Sequence, residues 1–198
     1  MAGTIICYGD SNTYGFDPRS FFGGRYEEEK RWPEILNRET DWKFLNFGLN
    51  GRCTPYFLPE IEYVTNRLPQ WADEKEPVWL WVMLGTNDLL HNAQMTAEAV
   101  TERMERFLRK LMACDEIADG RIRLRLISPV HLSRGMWVET DERCRESEKL
   151  DELYRDLAKR LGIAYTCAGE WDIPVLFDGV HFSEEGNRKF ADCMKKQL

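Results

Sequence analysis

The sequence predicts a three-layer α/β/α sandwich around a mostly parallel, five-stranded sheet. Short runs rich in branched and aromatic residues alternate along the chain with longer amphipathic stretches. Parallel neighbours need long crossover connections, which are usually helices, so this alternation gives a sheet that is covered on both faces. The 198 residues are enough for one substantial core and too few for two ordinary domains. Residues 1–198 are therefore predicted to form a single domain.

Five runs have the composition of strands, namely residues 4–8, 43–47, 78–84, 121–127 and 163–167. In the fourth run, Arg121, Arg123 and Arg125 alternate with apolar residues. This pattern is typical of an edge strand, or of a partly covered strand whose arginine stems lie over a neighbouring helix. A binding surface is the alternative interpretation.

Helices are expected over residues 32–38, 58–67, 96–114 and 141–161, and from residue 183 to near the end of the chain. Pro69 should end the second helix. Thr96 is a candidate N-cap for the third, and Gly162 is placed to end the fourth. In the last helix, Glu184 and Glu185 occupy the first turn, where the helix dipole favours negative charge.

The composition excludes several classes of function. A formal charge of −7, with basic residues interleaved among acidic ones, argues against nucleic acid as a partner. The chain begins without the pattern of a secretory signal, and it has no apolar run of bilayer length. Its six cysteines are scattered, with no Cys-x-x-Cys pair and no zinc-type spacing, so free thiols are expected. These features predict a cytoplasmic protein that binds neither nucleic acid nor membranes.

Four polar segments lie where ligands bind in such folds, beyond the carboxyl ends of the strands. They are residues 9–12, 46–52, 85–88 and 178–181. Each has an ordinary structural explanation, because Gly, Asp, Asn and Ser form turns everywhere and Asp-x-x-His also suits a helix cap. The four segments can form one site only if they all meet at the same edge of one sheet.

Together the segments contain the groups that acyl transfer requires. A serine hydroxyl such as that of Ser11 is a poor nucleophile unless a base accepts its proton. His181 is a candidate base, and Asp178 is close enough in sequence to fix its tautomer. The Asn87 amide is a donor for a developing oxyanion, and a glycine after the second strand can bring its backbone N–H close to a ligand.

These segments resemble the four blocks of the SGNH hydrolases, also called GDSL-type esterases and lipases. The resemblance covers about residues 4 to 195 and is nearest to the small bacterial arylesterase and acyltransferase branch. It implies a flavodoxin-like SGNH hydrolase fold in which Ser11, Asp178 and His181 form the catalytic triad. It also implies an oxyanion hole made by the Ser11 N–H, the Gly51 N–H and the Asn87 amide. Gly48 is a rival for the second donor, and neither a metal nor another cofactor is expected.

The chain departs from the family pattern at two places. The leucine that usually follows the nucleophile is replaced by Asn12, a change that is expected to matter little because the family varies there. Residues 17–30 have no family-wide pattern, so the acyl and alcohol pockets are unassigned. Among the aromatic residues near the site (Tyr14, Phe16, Trp32 and Trp137), Phe16 is the favoured substrate contact because it follows the nucleophile closely.

The sequence predicts a serine esterase that hydrolyses small carboxylic esters through an acyl-enzyme, with short acyl or acetyl groups on aryl or carbohydrate alcohols. An acyltransferase or thioesterase using the same site, and a non-catalytic ligand-binding module of the same fold, are the alternatives. The expected partner is a small-molecule ester, and a homo-oligomer is left open. His91 and His131 are set aside because neither has a carboxylate at suitable spacing, and Cys53 because no Cys/His arrangement supports it as a nucleophile.

Overall fold

The five predicted strands form one sheet in which all neighbours are parallel. The computed structural model describes residues 2–20, 24–72 and 76–198. The strands are β1 Gly3–Gly9, β2 Trp42–Gly48, β3 Val78–Met83, β4 Ile122–Ser128 and β5 Ala164–Cys167, in the spatial order β2-β1-β3-β4-β5. β2 is added on one side of β1, and β3, β4 and β5 are added in turn on the other side. This change in the order of addition leaves a crevice at the carboxyl ends of β1 and β3.

The described helices confirm the predicted long elements and add short ones. They are α1 Ser11–Tyr14, α2 Trp32–Glu39, α3 Leu58–Thr65, α4 Leu68–Ala72, α5 Thr86–His91, α6 Ala97–Met112, α7 Asp115–Ala118, α8 Asp141–Leu161 and α9 Glu184–Lys195. The Thr96 and Ser183 hydroxyls cap α6 and α9, accepting hydrogen bonds from the Ala99 and Gly186 amides. Gly162 ends α8 with a φ of 68°. The chain leaves α3 before Pro69 and resumes helix with that proline in the first turn of α4, where no amide hydrogen is needed.

Two apolar clusters on opposite faces of the sheet produce the three layers. On one face, Leu80 and Val82 of β3 pack with Phe107 of α6 and Leu157 of α8. On the other face, α2 and α9 pack against strand residues such as Trp81 of β3. The helix residues in this cluster include Ile35, Leu36, Phe190 and Met194. Because successive strand residues point to opposite faces, β1, β2, β3 and β4 each contribute residues to both clusters.

The expectation of an edge strand at residues 121–127 is wrong, because β4 lies between β3 and β5. The side chains of Arg123 and Arg125 lie over indole rings of β3. The Arg125 guanidinium carbon lies 5.5 Å and 5.4 Å from the ring centroids of Trp79 and Trp81, and Arg123 also lies over Trp79. Arg125 further donates to the Thr166 hydroxyl at 2.8 Å. The strand is therefore partly covered by its own charged side chains.

Within the described ranges, no helix combines the length and the apolar character needed to cross a bilayer. Of the stretch without a family pattern, residues 17–30, positions 21–23 lie outside the described residues.

Candidate active site

Four loops meet at the carboxyl edge of the sheet. Ser11 is the first residue of α1 and comes almost directly after β1. Gly51 lies in the turn that follows β2, and Asn87 is the second residue of α5, just after β3. Asp178 and His181 lie in the loop that leads into α9. The fold thus brings together residues from both ends of the chain.

The His181 imidazole lies between the Ser11 hydroxyl and the Asp178 carboxylate. Its Nε2 is 2.9 Å from Ser11 Oγ, and its Nδ1 is 2.7 Å from Asp178 Oδ2. All three residues are buried. An ionised carboxylate can only accept, so Nδ1 donates to Asp178 and Nε2 is left as the acceptor that faces the hydroxyl. This arrangement can take a proton from Ser11.

The Asp178 carboxylate is held in place by its own loop. Its Oδ1 accepts hydrogen bonds from the backbone amides of Val180 and His181, at 2.9 Å and 3.0 Å. Burial acts to raise the pKa of Asp178, but these bonds and the one from the His181 side chain together hold that pKa below its ordinary value. The carboxylate therefore stays ionised beside the imidazole.

The nucleophile turn is a single helical turn folded tightly against the end of β1. Asp10 caps it, because the Asp10 carboxylate accepts from the Asn12 amide at 2.9 Å. Burial raises the pKa of Asp10 to about 6, against the lowering effects of that amide and of the nearby His181. A side chain at Gly9 would bring its Cβ within 2.1 Å of Thr13 Oγ1, so the close approach requires glycine.

Gly51, and not its rival Gly48, borders the space above Ser11. The Gly48 amide already donates to the Asn46 side chain at 2.9 Å, and a Cβ at Gly48 would lie 2.1 Å from the backbone nitrogen of Tyr14. Gly48 is thus packed beneath α1. Gly51 has a φ of 71°, and the nearest atom to a Cβ built there is 3.9 Å away. Its backbone faces open space.

Asn87 is tied to the turn that carries Gly51. Its side-chain amide donates to the Arg52 carbonyl at 3.1 Å. The Arg52 guanidinium in turn donates to the carbonyls of Gly9, at 2.8 Å, and Phe47, and lies 4.1 Å from the centroid of the Tyr8 ring. Arg52 therefore links the ends of β1 and β2 beneath the site.

A pocket of about 220 Å³ opens over Ser11 and His181. Two aromatic rings flank the imidazole: the centroid of Phe16 is 4.7 Å from that of His181, and the centroid of Trp137 is 4.9 Å from it. The pocket is lined by Ser11, Phe16, Asn50, Gly51, Asn87, His91, Trp137 and His181. The favoured oxyanion residues Ser11, Gly51 and Asn87 and the favoured substrate contact Phe16 all lie around this one space.

Trp137 reaches the pocket on a loop whose contact with the His181 loop has no sequence signal. The Ser133 amide donates to the Gly179 carbonyl at 2.9 Å, and the Trp137 amide donates to the Asp178 carbonyl at 3.1 Å. A Cβ at Gly135 would lie 2.4 Å from the Asp178 carbonyl carbon, so the two loops pack directly on each other. Of the other aromatic candidates, Trp32 is buried in the core.

Cys53 has a histidine neighbour, His91, that is 38 residues away in the chain. Its Sγ lies 3.5 Å from His91 Nδ1, a Cys/His contact that the sequence spacing does not indicate. Burial raises the pKa of Cys53 to about 12, which keeps the thiol protonated near neutral pH. A protonated thiol is a weak nucleophile. Asn50 and His91 also line the pocket. Asn50 lies just beyond β2, and His91 is the last residue of α5, the helix that follows β3. The position of each after a strand is the sequence signal that points to it.

His131 has a carboxylate partner, although its sequence neighbourhood indicated none. Its Nε2 lies 2.7 Å from Asp151 Oδ2 on α8, 20 residues away in the chain. This hydrogen bond raises the pKa of His131, while burial acts in the opposite direction. The pair joins the loop after β4 to α8, and neither residue lines the pocket over Ser11.

Comparisons with known proteins agree with this fold. The sequence model of the GDSL-like Lipase/Acylhydrolase family matches residues 7–189. The Escherichia coli K12 protein named thioesterase 1/protease 1/lysophospholipase L1 is 24% identical, over 100% of this chain and 84% of its own length. A structure described as a carbohydrate acetylesterase family member from Sinorhizobium meliloti is 27% identical with a TM-score of 0.82, covering 98% of this chain and 96% of that one. The aryl esterase of M. smegmatis is 22% identical with a TM-score of 0.82, covering 99% and 98%.

Proposed function

This chain belongs to the GDSL-like lipase/acylhydrolase family and is a carboxylic ester hydrolase, and on that basis we propose that it hydrolyses small esters through an acyl-enzyme on Ser11. The contact that supports this proposal most directly is the 2.9 Å approach of His181 Nε2 to Ser11 Oγ. The two residues are 170 positions apart in the chain, so their meeting depends on the whole fold.

In the first half-reaction, Ser11 Oγ attacks the ester carbonyl carbon while its proton passes to His181 Nε2. Asp178 keeps Nδ1 protonated and stabilises the imidazolium that forms. The proton then moves from Nε2 to the departing alkoxide, the carbon–oxygen bond to the alcohol breaks, and an acyl group remains on Ser11. Water repeats the sequence with His181 as its base, releasing the carboxylic acid and restoring the serine.

Three donors are assigned to the oxyanion that forms on the carbonyl oxygen: the Ser11 N–H, the Gly51 N–H and the Asn87 amide. A primary amide has two hydrogens, and Asn87 directs one of them to the Arg52 carbonyl. We assign the second hydrogen to the oxyanion. Donors held in advance by such contacts stabilise the developing charge without reorganising during the reaction.

The pocket supports a substrate with a small acyl group, whose alcohol part lies against aromatic side chains. Its volume of about 220 Å³ is below the roughly 300–1,000 Å³ typical of pockets for drug-sized ligands. The leaving oxygen must face His181, so the alcohol lies beside Phe16 and Trp137. We therefore propose acetyl and short acyl esters, with aryl or acetylated-sugar alcohols, as the substrate class. The names of the relatives, an aryl esterase and a carbohydrate acetylesterase, are in keeping with this choice.

The thiols support a reducing location. All six cysteines lie in the described part of the chain, and each is unpaired. Proteins of oxidising compartments commonly pair their cysteines. We propose a cytoplasmic location on this basis.

A series of p-nitrophenyl esters from acetate to decanoate tests the proposed substrate class. We expect kcat/KM to be highest for the shortest chains, and Ser11→Ala to abolish turnover of every ester. Ser133→Ala is the matched control, because this exposed serine lies on a neighbouring loop and should leave the rates unchanged. Highest activity on decanoate would contradict the proposed size of the acyl group, and undiminished turnover by Ser11→Ala would contradict the role of the serine.

A further inference from the structure

Asn12, the residue after the nucleophile, joins the nucleophile turn to the loop that carries His181. Its side-chain Nδ2 donates to the Val180 carbonyl at 3.0 Å, and its Oδ1 accepts from the Phe182 amide at 3.0 Å. Both hydrogen bonds are buried. One amide group therefore binds the backbone on each side of His181, across 168 and 170 residues of sequence.

We propose that Asn12 is a positioning residue that sets the distance between His181 Nε2 and Ser11 Oγ. This inference rests on the proposed function of those two residues. Ser11 and Asn12 are adjacent in a single helical turn, so a group anchored to Asn12 keeps nearly the same place relative to Ser11. Leucine, which usually follows the nucleophile in the SGNH hydrolases, has neither a donor nor an acceptor for these bonds.

The main chain of Asn12 is itself held firmly, which is what an anchor requires. Its amide donates to the Asp10 carboxylate at 2.9 Å, and its carbonyl accepts from the Trp32 indole at 3.1 Å. Trp32 is almost fully buried. The side chain of Asn12 thus extends from a backbone fixed on both sides, so movement of the His181 loop away from Ser11 would break two buried hydrogen bonds.

Other contacts hold the same loop, but they attach it to other parts of the molecule. The Tyr26 hydroxyl donates to the Phe182 carbonyl at 3.1 Å, and the Ser133 amide donates to the Gly179 carbonyl. These bonds preserve the fold of the loop when Asn12 is replaced. Replacement of Asn12 is therefore expected to change the distance between His181 Nε2 and Ser11 Oγ more than it changes the fold of the loop.

The test compares Asn12→Leu and Asn12→Ala with the parent protein, using p-nitrophenyl acetate and counting competent sites by fluorophosphonate titration. We expect kcat to fall about 10- to 100-fold with KM nearly unchanged, since a misplacement of about 1 Å costs up to about 10² in rate. The low-field proton resonance of His181 Nδ1–H should also broaden or shift. The alanine variant serves where leucine proves too large for the site.

Asn187→Leu and Asn187→Ala are the matched controls. Asn187 is also a buried asparagine with two backbone partners, accepting from the Trp32 amide at 3.3 Å and donating to the Ser183 carbonyl at 3.1 Å, but it flanks neither reacting residue. These variants should lose stability and keep kcat within about twofold per titrated site. Equal kcat in the Asn12 variants and the parent would overturn the positioning role. Failure of the proposed function is a separate result, because the parent protein itself would then resist fluorophosphonate.

Discussion

Gly51 holds a backbone conformation that other residues adopt only at a cost. Its φ of 71° lies in the left-handed region, and a Cβ built there meets nothing closer than 3.9 Å. An alanine at this position therefore fits sterically but strains the backbone by roughly 1–2 kcal/mol. Gly51→Ala therefore tests the assigned oxyanion donor without creating a steric clash.

Gly120→Ala provides the comparison for Gly51→Ala. Gly120 has a φ of 81°, with nothing within 4 Å of a built Cβ, and it lies in the turn before β4. Urea unfolding should show a similar loss of stability for both variants, about 1–2 kcal/mol. Only Gly51→Ala should lower kcat for p-nitrophenyl acetate, because only there does strain displace a donor. Equal kcat values in the two variants would remove Gly51 from the oxyanion hole.

Asn87→Ala tests the side-chain donor. Removal of one oxyanion donor costs about 10²–10³ in turnover, so kcat should fall by that factor while KM changes little. Asn92→Ala is the control, since Asn92 is an exposed asparagine five residues further along that does not line the pocket. Parental turnover by Asn87→Ala would show that its amide does not face the oxyanion.

At the scale of elements, the His131–Asp151 pair makes stability depend on pH. The hydrogen bond from Asp151 raises the pKa of His131 above the ordinary value of about 6.5. Burial acts to raise the pKa of Asp151, yet the bond with His131 helps to hold it below its ordinary value, so the carboxylate stays charged near neutral pH. The folded state therefore binds the His131 proton more tightly than the unfolded state does.

The sign of the effect follows from linkage. Stabilisation by a raised histidine pKa is complete below the unfolded value and disappears as pH rises through the folded value. His131→Gln should therefore lower the free energy of unfolding more at pH 5.5 than at pH 9. Urea unfolding of both proteins at the two pH values measures this difference. A difference that stays constant, or grows toward pH 9, would contradict the charged pair.

For the molecule as a whole, the sequence indicates the place of a residue in the fold where one short segment carries the signal. Ser11, Gly51 and Asn87 each follow a strand whose apolar run is visible, so a parallel sheet is enough to bring them to one edge. Asp178 and His181 lie within one loop, and their spacing alone indicates a direct hydrogen bond. Five parallel strands follow from the alternation of patterns.

Features that depend on contacts between distant segments escaped prediction. The internal position of β4 depends on strand order, which no local pattern encodes. The approach of the Trp137 loop to Asp178 and the Asp151 partner of His131 require knowledge of how loops and helices pack. The bridging amide of Asn12 is similar, since the sequence shows only that a leucine is replaced.

The proposed activation of the Ser11 hydroxyl by His181 underlies the roles assigned to the other site residues. Incubation with a fluorophosphonate, followed by peptide mass spectrometry, tests it most directly, because Oγ must displace fluoride from phosphorus to form the adduct. We expect one adduct, on Ser11, which is retained in Ser133→Ala and lost in His181→Ala. Absence of labelling in the parent protein, or undiminished labelling of Ser11 in His181→Ala, would show that His181 does not activate this serine.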